Sequence, residues 1–104
     1  MARQVIWSPE AEQQLDDYAG FISKDSPSYA ETFVAMILEK ADSLELFSDR
    51  GRLVPELPML EVRELIIDSY RLVYKVKDDQ VTIATVMHAK QDFDSAWRRK
   101  IPPP

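Results

Sequence analysis

Three ionisable side chains in the second half of the chain could act together on a phosphate group. They are Glu56, Arg71 and His88, and His88 is the only histidine among the 104 residues. A glutamate can act as a base, a guanidinium can hold a charged phosphoryl group at two points, and a histidine near neutral pH can act as an acid. Such a trio could drive attack of a ribose 2′-hydroxyl on the adjacent phosphate. The alternative is structural: a lone histidine near a strand end often has no chemical role, and Arg71 could simply pair with Glu64.

Other kinds of chemistry have little support in the composition. The chain has no cysteine, so with one histidine and scattered carboxylates we expect neither a metal site nor a cofactor. Its two glycines, Gly20 and Gly51, form no phosphate-binding loop. Thirteen Lys and Arg residues against eighteen Asp and Glu residues give a net charge of −5, which disfavours binding to nucleic acid and favours a protein partner. We expect one cytoplasmic domain over residues 1–104, because no apolar run is long enough to span a membrane and none resembles a signal peptide.

Two amphipathic helices are predicted ahead of these side chains. Ser8-Pro9-Glu10 and Ser26-Pro27 each place a capping hydroxyl before a proline, which is a common way for a helix to begin. Apolar residues then recur at helical spacing, to about Lys24 in the first segment and to a point before Gly51 in the second. The sequence therefore predicts a hairpin of two helices, preceded by a short strand at residues 4–7.

The period of the apolar residues changes to two after the second helix, which predicts strands. Residues 62–67, 70–77 and 81–88 read as three strands. Asp68-Ser69 and Asp78-Asp79 between them are suited to tight turns. We therefore predict an α+β fold in which the N-terminal strand and the helical hairpin pack on one face of a small, mostly antiparallel sheet.

Two further segments flank this sheet. Residues 52–54 could form another short strand or only a loop. Residues 93–99 could form a short helix that docks Trp97, and we expect residues 101–104 to be frayed.

Two-residue turns would fix the register of the sheet, because residue 67 would then face residue 70 and residue 77 would face residue 80. In that register one face is almost entirely apolar and should pack on the helices. The other face carries Arg71, Lys75 and His88, and we expect it to be the exposed or binding face, with His88 diagonal to Arg71 at roughly 7–8 Å between their backbones. The members of the apolar face are Leu65, Ile67, Tyr70, Leu72, Tyr74, Val76, Val81, Ile83, Thr85 and Met87, and the other face also holds Glu64, Ile66, Val73, Thr82, Ala84 and Val86.

Four short motifs resemble those of the RelE/ParE family of toxins. Trp7-Ser8-Pro9-Glu10-Ala11 resembles the family's W-[ST]-x-x-A start at the first strand–helix junction. Arg63-Glu64-Leu65, Tyr70-Arg71-Leu72-Val73-Tyr74 and Val86-Met87-His88-Ala89-Lys90 resemble its R-E-L, Y-R-[IVL]-x-Y and V-x-H-x-[RK] segments, in the same order. Together they cover about residues 5–92.

The resemblance implies the toxin of a type II toxin–antitoxin pair. The C-terminal segment of an antitoxin wraps such a toxin. The other half of the antitoxin binds operator DNA, so the toxin meets this DNA only through the antitoxin. The long hairpin and the few basic residues on the sheet favour the ParE-like branch, which inhibits DNA gyrase, over the RelE-like branch, which cleaves mRNA on the ribosome. Under the RelE-like alternative the catalytic residues would be Arg71, His88 and Glu56. The residues that we expect to contact an antitoxin or target are Arg63, Glu64, Arg71, Lys75, His88 and Lys90.

Overall fold

The computed structural model describes residues 2–100, and it describes side chains as far as Trp97. The predicted tail at residues 101–104 and the side chains of residues 98–100 lie outside this part. The order of elements is a strand, two helices, four strands and a last helix. Their bounds are β1 Gln4–Trp7, α1 Pro9–Ser23, α2 Pro27–Asp42, β2 Arg52–Leu53, β3 Val62–Ile67, β4 Tyr70–Lys77, β5 Gln80–His88 and α3 Phe93–Lys100, with a 3₁₀ turn at Ser43–Glu45.

Both long helices begin where the sequence predicts. The Ser8 hydroxyl accepts a hydrogen bond from the Ala11 amide, and the Ser26 hydroxyl accepts one from the Tyr29 amide. These bonds satisfy amide groups that the first turn of a helix leaves without a partner. α2 ends at Asp42 and is continued by the 3₁₀ turn, so the chain leaves the helix well before Gly51.

The five strands form one sheet in the order β1-β5-β4-β3-β2. β1 runs parallel to β5, and the other neighbouring pairs are antiparallel. Both tight turns are found at their predicted places, with Asp68 and Asp78 at positive φ, where aspartate is tolerated better than most residues. The predicted pairings of Ile67 with Tyr70 and of Lys77 with Gln80 are confirmed. The α+β fold with a mostly antiparallel sheet is confirmed as well.

A β-bulge in β5 overturns part of the predicted register. Tyr74 pairs with Ile83 but Val73 pairs with Thr85, so Ala84 is an extra residue in β5. One extra residue reverses the faces of the side chains beyond it, because side chains alternate along a strand. The prediction placed Met87 on the helical side and Val86 on the other, and both assignments are wrong.

Each face of the sheet carries an apolar cluster of its own. The first cluster lies between the sheet and the helical hairpin, and it includes Phe33, Ile37, Leu72, Tyr74 and Val86. The second cluster lies on the opposite face, where α3 and the segment between β2 and β3 cover the strands. Its members are Val54, Val62, Val73, Ala84, Met87, Phe93, Ala96 and Trp97, with Leu57 packed against it.

The second cluster corrects the prediction that this face is exposed. Docking of Trp97 by a C-terminal helix is confirmed, since Trp97 is buried. The helix does more than the sequence indicated, because with the segment between β2 and β3 it covers part of a face that we expected to be open. Ile66 and Lys75 on this face remain exposed.

Candidate functional site

Arg71 is the centre of an ion-pair network on the second face of the sheet. Its Nε donates to Glu64 Oε1 at 2.5 Å, and its Nη1 and Nη2 donate to the two carboxylate oxygens of Glu56 at 2.9 and 2.8 Å. The second oxygen of Glu64 accepts from Arg52 Nε at 2.7 Å. Two arginines and two glutamates therefore alternate in one chain of contacts, and their charges cancel.

The members of this network differ sharply in exposure. The Glu64 side chain is fully buried and that of Arg71 is 9% exposed, whereas Glu56 is 36% exposed and Arg52 is 61% exposed. β3 and β4 hold the two buried members, and the segment after β2 brings Glu56 over them. A buried charge needs hydrogen-bonded partners. Arg71 is the buried partner of Glu64, and the more exposed Arg52 and Glu56 bind the outer side of this pair.

The network shifts the pKa values of two of its members. The hydrogen bonds from Arg71 lower the pKa of the Glu56 carboxyl, against a smaller raising effect of burial. The same hydrogen bonds raise the pKa of Arg71, so its guanidinium stays charged at every accessible pH.

α3 packs against the same arginine. The guanidinium carbon of Arg71 lies 4.7 Å from the centre of the Phe93 ring, and Lys75 Nζ lies 5.6 Å from the centre of the Trp97 ring. The two rings stack on each other with centres 5.8 Å apart. A cation over an aromatic face is a favourable contact. Phe93 was missed as a partner of Arg71, although the four-residue spacing of Phe93 and Trp97 indicates one side of a helix.

His88 lies on the other side of the sheet from Arg71. The bulge pairs His88 with Tyr70 rather than placing it diagonal to Arg71, and the two rings meet edge to face at 5.1 Å. Tyr70 in turn packs against Phe33 of α2. His88 Nδ1 accepts a hydrogen bond from the Lys90 amide at 3.1 Å. The predicted proximity of Arg71 and His88 is therefore wrong.

Glu56 also has a different partner from the one that the catalytic hypothesis needs. Both of its carboxylate oxygens bind Arg71. The hypothesis that Glu56 pairs with His88 is wrong, whereas the alternative in which Arg71 pairs with Glu64 is confirmed. Arg71 does bind carboxylates, as its geometry predicts, but these carboxylates belong to the same chain.

The remaining residues predicted to meet a partner are spread over the molecule. Arg63 Nη1 donates to the backbone oxygen of Gly51 at 2.7 Å, which fixes the segment before β2. Lys75 and Lys90 are exposed. Over the described residues, no group of three or more His, Cys, Asp or Glu side chains could hold a metal ion. None of the described helices is long and apolar enough to cross a membrane.

An open apolar groove runs between the two long helices on the side away from the sheet. Small residues, among them Ala19, Gly20 and Ala35, line it together with Val34 and Leu38. The apolar spacing of the sequence places Ala19, Val34 and Leu38 on the same stripes as the core residues, and it does not predict that they line a groove, in which Leu38 is 40% exposed. Phe21, which is 69% exposed, and Tyr29 add further exposed aromatic surface to the hairpin.

Comparison with known proteins places these observations in a family. Residues 5–93 match the family model described as the ParE toxin of the type II toxin–antitoxin system parDE. Two relatives from Caulobacter vibrioides are similar over most of their length. Toxin RelE2 is 32% identical over 87 residues, which are 83% of this chain and 94% of the relative, and Toxin RelE3 is 30% identical over 91 residues, which are 84% and 95%.

Solved structures show the same fold. A chain of the chromosomal ParDE system from Pseudomonas aeruginosa superposes with a TM-score of 0.71 at 22% identity, over 86% of this chain and 98% of that one. A chain of the toxin–antitoxin complex RelBE2 from Mycobacterium tuberculosis gives 0.60 at 22% identity, over 85% and 99%. A mutant of Escherichia coli RelE in the free state gives 0.57 at 19% identity, over 95% and 98%. The family model, the relatives and the fold agree, and this chain belongs to the RelE/ParE family of type II toxin–antitoxin toxins.

Proposed function

We propose that this protein inhibits DNA gyrase in the cytoplasm and is neutralised by a cognate antitoxin whose C-terminal segment wraps it. The observation that carries the choice of target is the state of Arg71. All three of its nitrogens donate to carboxylates of the same chain, so it offers no free edge to an RNA phosphate. His88, the other candidate for acid–base work, lies on the opposite side of the sheet.

The net charge and the family model support the same proposal. A net charge of −5 opposes tight binding to the mRNA backbone, because affinity for nucleic acid comes largely from neutralising phosphates. The matching family model carries the ParE description. An inhibitor that acts by binding protein requires no convergent catalytic residues.

The alternative function is ribosome-dependent cleavage of mRNA. It is favoured by the two Caulobacter relatives, which are named as RelE toxins. Under this alternative Arg71, His88 and Glu56 would be the catalytic residues. Arg71 and His88 could not then act on one phosphate without a rearrangement of β5 and of the segment that carries Glu56.

The two functions can be separated with the purified protein. We expect it to reduce supercoiling of relaxed plasmid by gyrase or to trap cleaved plasmid, and to leave mRNA intact on programmed ribosomes. In cells, induction should trigger the DNA-damage response before translation stops. Codon-dependent mRNA cleavage together with unaffected gyrase would replace this proposal with the alternative.

We place a helical part of the antitoxin in the groove between α1 and α2. The groove is apolar, and its small residues allow another helix to approach closely. Val34 connects the groove to the first apolar cluster, whereas Gly20, Ala35 and Leu38 belong to neither cluster. A segment that continues around the molecule would reach the exposed Lys75 and Lys90, which we retain as contacts for its acidic side chains.

A charge inside the groove tests this placement. Ala35→Lys should weaken binding of the co-expressed antitoxin at least tenfold, because it places a charge in an apolar interface. Thr32→Lys adds the same charge to an exposed position of α2 that does not line the groove, and it should leave binding unchanged. Equal binding by both variants, measured by calorimetry, would exclude the groove as the antitoxin site.

A further inference from the structure

The second face of the sheet is covered by two pieces that are far apart in sequence. One is the segment of residues 54–61 between β2 and β3, and the other is α3. We call them together the cap. Val54 and Leu57 from the segment and Phe93, Ala96 and Trp97 from the helix share one apolar cluster with the strands.

Arg71 is bound by both pieces of the cap at once. Glu56, from the segment, holds the outer edge of the guanidinium through two hydrogen bonds. Phe93, from α3, lies against the same guanidinium. Glu64 holds its inner edge from the sheet. The position of one side chain therefore depends on the segment and on the helix together.

The two glutamates that bind Arg71 differ in exposure to solvent, and this difference determines where the cap can open. Glu64 is fully buried, whereas Glu56 is about one-third exposed. Ion pairs that reach solvent are weak, because water screens them. Glu56 is thus the carboxylate that can leave Arg71 and be replaced, whereas Glu64 stays bound to it.

We propose that the segment of residues 54–61 and α3 open and close as one cooperative unit, linked through Arg71. In the closed state Glu56 occupies the arginine and blocks it. In the open state Arg71 keeps only Glu64, and its outer edge is free for a carboxylate of a protein partner. Glu56 is then an internal ligand that controls the access of a partner's carboxylate to Arg71.

Hydrogen exchange of backbone amides tests the linkage in the intact protein, because local opening of a structure exposes its amides together. Glu56→Gln should speed exchange about two- to fivefold in peptides covering residues 54–61 and also in peptides covering α3, although Glu56 forms its ion pair with Arg71 and not with the helix. Phe93→Leu, a change in α3, should likewise speed exchange in peptides covering residues 54–61. Peptides from α1 and α2 should be unchanged in both variants.

Glu61→Gln is the matched control. It removes a carboxylate from the same segment, but it lies outside the Arg71 network, and it should change neither peptide set. The proposal is overturned if Glu56→Gln affects residues 54–61 alone and Phe93→Leu affects α3 alone. It is also overturned if Glu61→Gln reproduces the effect of Glu56→Gln.

Discussion

At the scale of single residues, the balance of charge around Arg71 decides what this side chain can do. A buried arginine with one carboxylate would retain a free edge for a ligand. Here two carboxylates accept hydrogen bonds from the guanidinium and an aromatic ring packs against it. Arg52 donates a hydrogen bond to the second oxygen of the fully buried Glu64. Without Glu56, the outer edge of the guanidinium would lose both hydrogen bonds that now occupy it.

Replacing Arg71 should cost far more stability than replacing the outer arginine. Arg71→Met leaves the buried Glu64 with only an exposed partner, and breaking a buried pair in this way costs about 3–5 kcal/mol. Arg52→Gln should cost less than about 1 kcal/mol, because Arg52 is mostly exposed. Urea denaturation of both variants measures the difference. A cost below about 1 kcal/mol for Arg71→Met would show that the network is not structural.

The pKa of Glu56 predicts a loss of stability in acid. Its pKa is lowered in the folded protein by hydrogen bonds from Arg71, so folding is favoured by the charged form. This contribution is complete above the ordinary glutamate pKa of 4.5 and is lost as the pH falls below it through the folded value. Between pH 6 and pH 3 the free energy of unfolding should therefore fall more steeply for the wild type than for Glu56→Gln. Parallel curves from denaturation at each pH would contradict this role.

At the scale of elements, local signals were enough to predict most of the strands and helices. Two Ser-Pro starts specify where the helices begin, because capping and the fixed φ of proline act within one turn. Aspartates at positive φ specify the two hairpins. Since two-residue hairpins fix the register next to them, the apolar face was predicted correctly as far as Ile83.

The position of the candidate site could not be predicted in the same way. The bulge at Ala84 has no sequence signal, because an alanine can extend a strand as well as interrupt its pairing. It nevertheless separates His88 from Arg71. The covering of the second face by α3 is also decided by distant contacts, since Phe93 and Trp97 meet residues of β4 that lie about twenty positions earlier.

The two glycines should respond in opposite ways to alanine. A Cβ at Gly20, inside α1, would meet no atom within 4 Å, so Gly20→Ala should stabilise the protein by about 0.5–1 kcal/mol. A Cβ at Gly51 would lie 2.5 Å from the Tyr74 hydroxyl and 2.7 Å from the Glu64 backbone oxygen, so Gly51→Ala should destabilise by about 1–3 kcal/mol.

Thermal unfolding of the two variants gives the sign of each effect. The Gly51 position is constrained further because its amide donates to the Tyr74 hydroxyl, which itself donates to the Ser48 carbonyl. Stabilisation by Gly51→Ala would mean that this segment can move away from Tyr74.

At the scale of the whole molecule, each face of the sheet carries a buried apolar cluster although the chain is only 104 residues long. The helical hairpin covers one face, and its outer groove remains open. The cap covers the other face with few residues, so each of its large side chains accounts for much of the second cluster. The chain thus leaves apolar surface open on its helices while apolar clusters cover much of both faces of its sheet.

The dependence of the fold on the second cluster can be measured at Trp97. Trp97 belongs to α3 and its side chain is buried in the second cluster, so Trp97→Ala should lower the free energy of unfolding by about 3–5 kcal/mol. Met59→Ala removes another large apolar side chain from the segment between β2 and β3. Because Met59 is 92% exposed, its replacement should change stability by less than about 0.5 kcal/mol. If the two variants unfold at the same denaturant concentration, α3 adds no stability to the folded protein and the first cluster alone maintains the fold.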